Sequence, residues 1–264
     1  MPGARQWIGG MFLRAPAPLR SIRKLPLVGG WMHRLSHAVL PADHQQWAQI
    51  QSGAAEGLWL ELNPRTGDGY FRGHAEEVVQ KTLLERLRPG MVFYDLGANI
   101  GLFSLLAARA LAPEGRVFSF EPDPEVAARL RRNVAKNNFA NVTVVEAGVW
   151  SSSTELSFVS ADPNSPDRGT GRFVVGTARD AAPLKCVALD DFIADHPAPD
   201  AIKCDVEGAE VEVLHGAEKL LRSRRPWILG EMHSEASARS WSEWLTRFGY
   251  GLKPVDDNHI LAVP

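Results

Sequence analysis

The sequence predicts a doubly wound α/β fold, mostly parallel, with an antiparallel hairpin at its C-terminal end. Three observations carry this. Val92 to Leu96 reads as a short buried strand, Gly97-Ala98-Asn99-Ile100-Gly101 as a tight turn, and Leu102 to Leu111 as a buried helix. A second strand, 116 to 122, carries an acid, Glu121, at its exit, 24 residues after Gly97. That is the usual distance for an acid that accepts hydrogen bonds from ribose hydroxyls. Two final strand-like runs, YGLKPV and HILAVP, are separated by the turn signal Asp256-Asp257-Asn258.

The remaining elements follow in order. GLWLELNP (57 to 64) alternates as a strand and RTGDG reads as a turn. His74 to Leu87 reads as a helix stopped by Pro89-Gly90. After Glu121, Asp123 is placed to cap a helix with Pro124 at its first position, and Val126, Leu130 and Val134 line one face. Its basic face, which includes Arg129 and Arg131, reads as solvated surface. NVTVVEAGV (141 to 149) reads as one strand, with Glu146 and Ala147 near the adenine of a bound nucleotide. LKCVALDDF (184 to 192) is a strand running into a short helix. AIKCDVEGAEVEVLHGAEKLL (201 to 221) is a core strand and its helix, RPWILGEMH (225 to 233) a further strand, and 236 to 248 a helix. Residues 150 to 185 interrupt this rhythm. They are rich in Ser, Asp, Pro and Gly and read as an inserted hairpin or lid, where acceptor specificity is expected to reside.

Three regions result: a basic arm (1 to 42), a lead-in strand and helix (43 to 88) and the main domain (89 to 264). The arm carries Arg5, Arg14, Arg20, Arg23, Lys24 and Arg34 and no acid. It is either an extension broken by prolines or a surface for peripheral membrane or protein contact. Over 264 residues, 45% hydrophobic and 23% charged residues are ordinary for a soluble globular chain. The net charge of −2 supplies no global basic field for nucleic acid. Cys186 and Cys204 lie in apolar runs and fit a reducing, cytoplasmic setting. No apolar run approaches the roughly 20 residues that cross a bilayer.

The turn narrows the ligand. A dinucleotide fingerprint is G-x-G-x-x-G, whereas here Asn99 stands at the middle glycine, which disfavours nicotinamide chemistry. No G-x-x-x-x-G-K-[ST] phosphate loop occurs. An acid opening the turn, Asp95, repels phosphate but suits a ligand that carries an ammonium group and a sulfonium, which points to S-adenosylmethionine. The N/D-P-P-Y/F pattern of amino-group methylation is also absent.

PGMVFYDLGANIG, FSFEPDP, the LDD at 189 to 191, IKCDVEGAEVEVLHGA and the GEMH at 230 to 233 together resemble the FkbM family of S-adenosylmethionine-dependent methyltransferases. The resemblance runs from about residue 89 to 233, and Cys204 is its one departure, where an aliphatic residue is more usual. It implies a class I methyltransferase (Rossmann-like) fold and O-methylation of a sugar, glycoconjugate or secondary-metabolite hydroxyl. It also implies cofactor-binding roles. Asp95, Gly97, Ala98, Asn99 and Gly101 would hold the methionine end, Glu121 the ribose, and Glu146 and Ala147 the adenine. Asp205 would face the ammonium group or the reacting centre.

Transfer to a hydroxyl needs alignment and help with the proton. Asp205, Glu207 and His233 are the catalytic candidates, with Glu231 nearby. An ordinary histidine, with a pKa of about 6.5, is suited to take a proton near neutrality. The plainer alternatives are a structural histidine at a strand end, and for Glu207 an interaction with a helix dipole. A divalent metal held by Asp205, Glu231 and His233 is a further alternative. Lys203, odd within an apolar strand, reads as half of a structural ion pair with an acid at the sheet edge.

Overall fold

The computed structural model describes residues 44–64, 66–159, 171–174 and 182–264. The basic arm and much of the insert lie outside the described residues. Residues 44–75 form one compact unit and the remaining described residues another.

In the first unit, β1 (Gln46–Gln49) pairs antiparallel with β2 (Trp59–Leu62). β2 is the alternating strand that the sequence suggested, and it buries Leu60 and Leu62. β1 carries no such signal, because its apolar residues are too few to stand out. Asp68–Arg72 is helical where RTGDG reads as a turn.

The second unit contains β3 (Val92–Leu96), β4 (Arg116–Phe120), β5 (Val142–Val145), β6 (Gly148–Val149), β7 (Thr154–Val159), β8 (Arg172–Val174), β9 (Ala182–Val187), β10 (Ala201–Cys204), β11 (Trp227–Glu231), β12 (Gly251–Pro254) and β13 (His259–Val263). Seven of these form the central sheet in the order β12-β13-β11-β10-β3-β4-β5. From β5 to β11 neighbours are parallel, while β13 and β12 add antiparallel at the β11 edge. The order reverses between β3 and β10. A crevice opens there at the carboxyl ends of the strands, the usual ligand position in an open α/β sheet.

The expected single strand over 141–149 is two strands. The Ala147 N–H donates to the Val145 carbonyl (3.0 Å), which re-aims the chain. β6 then leaves the central sheet and pairs parallel with β9 in a second sheet, β6-β9-β7-β8. Within the region read as an inserted hairpin or lid, β7 pairs antiparallel with β8.

Helix 77–86 packs against helix 102–111, which is buried almost all round. Asp123 caps helix 124–136 as expected, its Oδ1 accepting from the N–H groups of Glu125 (2.9 Å) and Val126 (3.3 Å). The helix expected to follow β10 is two short helices, 210–215 and 218–223. They break at Gly216, where a β-carbon would meet the Trp150 carbonyl oxygen at 2.2 Å. Asp190 caps the second one, accepting from the N–H groups of Lys219 (2.8 Å) and Leu220 (2.9 Å), while Asp191 accepts from Ser153 (2.6 Å). The acids of the LDD stretch therefore join elements together. Helix 235–247 places Trp241 in the core with no exposed surface. No helix among the described residues is long and apolar enough to cross a membrane.

Candidate active site

The turn after β3 is held from the next strand. The Gly97 and Ala98 N–H groups both donate to the Phe120 carbonyl (3.0 and 2.9 Å). The Asn99 N–H donates to Glu121 Oε2 (2.9 Å), and the Asp123 N–H donates to Glu121 Oε1 (2.9 Å). Glu121 is thus a brace of the turn as well as a wall of the site, a role its spacing alone does not disclose. Burial pushes its carboxyl up to about 8, against the two N–H donors that favour the ionised form. Gly97 has φ 76°. A β-carbon there would lie 1.7 Å from the Asp205 carbonyl oxygen. Only glycine lets the exits of β3 and β10 approach this closely.

A cleft opens over the turn. Its walls include Gly97, Asn99, Glu121, Ala147, Asp205 and Glu207. Ala98 and Gly101 support the turn from behind: Ala98 is buried, and Gly101 opens the following helix with φ 94°. The Glu146 carboxylate pairs instead with Arg131 (2.7 Å) on the exposed surface. That pair ties down part of the basic face read as merely solvated.

Asp95 lies beneath the turn, 1% exposed. Its Oδ2 accepts from Ser104 (2.6 Å), whose hydroxyl also meets that of Ser119 (2.7 Å). Its Oδ1 is buried with no hydrogen-bond partner among the described residues. Burial holds the Asp95 carboxyl above the ordinary range, moderated by the Lys203 charge and the Ser104 bond. The ion pair expected of Lys203 is made with Asp205: β10 lies between β3 and β11, and the Lys203 ammonium, itself buried, meets Asp205 at 2.9 Å. Burial would lower its pKa, but Asp205, Glu76 and Asp95 outweigh that and hold it charged. Lys203 in turn keeps Asp205 below the ordinary carboxylate range despite burial.

His233, at the exit of β11, is ringed by acids. Its Nδ1 lies 2.9 Å from Glu210 Oε1, and its Nε2 lies 3.3 Å from Glu207 and 3.7 Å from Asp205. The Glu210 bond, with Glu207 and Asp205, pushes it up to about 9 against burial. The ordinary pKa expected from the sequence is therefore corrected: near neutrality this ring holds both protons and is not a free base. Glu207, three residues before its helix, does not cap it. The fully buried Glu210 stands at that end, accepting from the Gly208 N–H (2.8 Å) and the Ser237 hydroxyl (2.8 Å). Burial raises the Glu207 carboxyl, opposed by His233. Its backbone has φ 51°, an uncommon conformation for a residue with a side chain. Donor atoms of Asp205, Glu231 and His233 all lie within 4.8 Å of one another, as do those of Glu76, Glu231 and His259. Sequence reasoning missed Glu210, Glu76 and His259. The first could be noticed only as one more acid in a run of acids, and no motif flags the other two.

Residues 95–252 match the model of the methyltransferase FkbM domain. The chain is 30% identical over 173 residues to the hexuronic acid methyltransferase AglP of Haloferax volcanii, covering 65% of this chain and 68% of that protein. It is 30% identical over 214 residues to the 31-O-demethyl-FK506 methyltransferase FkbM of Streptomyces tacrolimicus, covering 70% and 77%. The crystal structure of methyltransferase FkbM from Methylobacillus flagellatus superposes with a TM-score of 0.50 at 21% identity, over 67% of this chain and 44% of that one, a likeness of fold. This chain belongs to the FkbM family of S-adenosylmethionine-dependent methyltransferases.

Proposed function

We propose that the chain transfers a methyl group from S-adenosylmethionine to a hydroxyl of a sugar, glycoconjugate or secondary-metabolite acceptor. The observation that carries this is the joining of two sets of residues in one cleft. Gly97, Asn99, Glu121 and Ala147 stand on one side, and Asp205 and Glu207 on the other. The residues fit such a ligand. Glu121 retains free lone pairs for ribose hydroxyls, Asp205 is ionised for an ammonium group, and the unpartnered Oδ1 of Asp95 is a further acceptor beneath the turn. S-adenosylmethionine, when bound, supplies an electrophilic methyl on a sulfonium.

The chain's part is to align the acceptor and take its proton. Glu207 is the base in this reading, because it lines the cleft and its carboxyl is raised toward the working range. As the acceptor oxygen is methylated, its proton would pass to the Glu207 carboxylate. His233, protonated, is a positioning residue that holds Glu207 and is held by Glu210. The names of the two curated relatives, one a hexuronic acid methyltransferase and the other acting on a 31-O position, support a sugar or metabolite hydroxyl as acceptor.

Calorimetry with S-adenosylhomocysteine, and NAD in parallel, tests the cofactor. Saturable binding of the first alone is expected, and binding of NAD alone would overturn the assignment. Glu207→Gln is then expected to slow turnover by about 100-fold with little change in S-adenosylhomocysteine affinity. An unchanged rate would remove Glu207 as the base.

A further inference from the structure

We propose that Glu76, Glu231 and His259 form a binding site for one divalent metal cation. Glu231 and His259 are paired residues of β11 and β13, and Glu76 immediately precedes helix 77–86. His259 is 5% exposed. Its Nδ1 lies 2.8 Å from Asp256 Oδ1, which also accepts from the backbone N–H groups of Asn258 (3.0 Å) and His259 (2.9 Å). A carboxylate fixed behind one ring nitrogen is the arrangement that keeps a proton there, orients the ring and leaves the other nitrogen to bind metal.

That other nitrogen, Nε2, is buried and has no hydrogen-bond partner among the described residues. It lies 3.4 Å from Glu231 Oε2 and 3.7 Å from Glu76 Oε2. Both distances exceed a normal hydrogen bond. They are close to the roughly 3.0–3.5 Å between neighbouring ligand atoms around an ion with bonds of about 2.1 Å. Two carboxylates and an imidazole suit Mn²⁺ or Zn²⁺.

Asp205 lies near Glu76 and Glu207 near Glu231, and the Lys203 ammonium that also neighbours Glu76 is paired with Asp205 at 2.9 Å. In the set Asp205, Glu231 and His233, by contrast, Asp205 is already paired with the Lys203 ammonium at 2.9 Å. Glu231 belongs to both sets, so a cation here would border the cleft's acids.

The test is Mn²⁺ binding to the chelator-stripped full-length chain, followed by loss of the free-ion electron paramagnetic resonance signal. One ion per chain is expected, bound about 100-fold more weakly in Glu76→Gln and in Glu231→Gln and retained in His233→Gln. Pulsed measurements should show one coordinated imidazole nitrogen, lost in His259→Gln. Circular dichroism confirms that each variant is folded, and Glu76, only part-buried, serves if the replacement at Glu231 does not fold. No binding, binding indifferent to Glu76→Gln, or binding abolished by His233→Gln would each overturn the site. Because the readout is cation binding, this outcome is separate from the identity of the methyl acceptor.

Discussion

Asp95 carries two demands on one side chain. Its Oδ2 is used internally by Ser104, and its Oδ1 is buried without a partner among the described residues. An unpaired buried acceptor is costly unless something completes it. Removing the acid should therefore weaken S-adenosylhomocysteine binding by about 100-fold, the loss expected when a buried charged contact is truncated. The measurement is calorimetry on Asp95→Ala and on the isosteric Asp95→Asn, each first shown to be folded. Undiminished affinity in both would take Asp95 out of the cofactor site. At the same scale, Glu121 was recognisable from its distance to the turn, because spacing survives in sequence. Its two backbone bonds were not, since they depend on where the strand exits meet.

Two elements can be tested by substitution. The first is the turn at 97–101. Gly97→Ala places a β-carbon against the Asp205 carbonyl at a position with positive φ, so both sterics and backbone conformation oppose it. The expected cost is more than about 2 kcal/mol in denaturant unfolding, with loss of cofactor binding even where fold is retained. The second is helix 235–247, whose Trp241 fills the core beneath Gly230. Trp241→Ala should cost about 3–5 kcal/mol, read as a lower denaturant midpoint. A change below 1 kcal/mol would mean the ring is not packed as described. Helix and strand existence was legible throughout the core, because apolar periodicity is local. The breaks were not. The division of 141–149 depends on a partner strand at 182–187, and the break at Gly216 depends on Trp150, both distant in sequence.

The whole molecule shows in its pH dependence. His233 has its folded pKa raised from 6.5 to about 9, so its contribution to stability is full below about pH 6.5 and is lost as pH rises through 9. The raised Glu121 adds a decline that begins above about pH 4.5 and is complete near pH 8, since its ionised form is penalised by burial. Asp205 and Glu210 have lowered values, so their contributions are present above the ordinary carboxylate range and are lost on acidification. The melting temperature should accordingly peak in mildly acidic buffer, between about pH 5 and 6.5, and fall toward pH 9. His233→Gln should flatten the alkaline fall. A wild-type and variant pair with the same alkaline slope would show that the imidazolium is not stabilised by these acids.

The sequence by itself determined the α/β class, the order of the main strands, the glycine turn and the acids at the strand exits. Periodicity, positive-φ glycines and capping residues are written in neighbouring positions, and those signals do not need the folded chain. Only the tertiary structure decided what the acids do. His233 is charged because Glu207 and Glu210 fold around it, and Lys203 sits buried at the sheet's centre because Asp205, Glu76 and Asp95 outweigh its desolvation. Glu231 meets His259 because an antiparallel strand returns along β11 in that register. A carboxylate's chemistry is set by charges and burial within a few ångströms, and apart from Lys203 and Asp205 the residues that supply them here lie tens to more than a hundred positions apart.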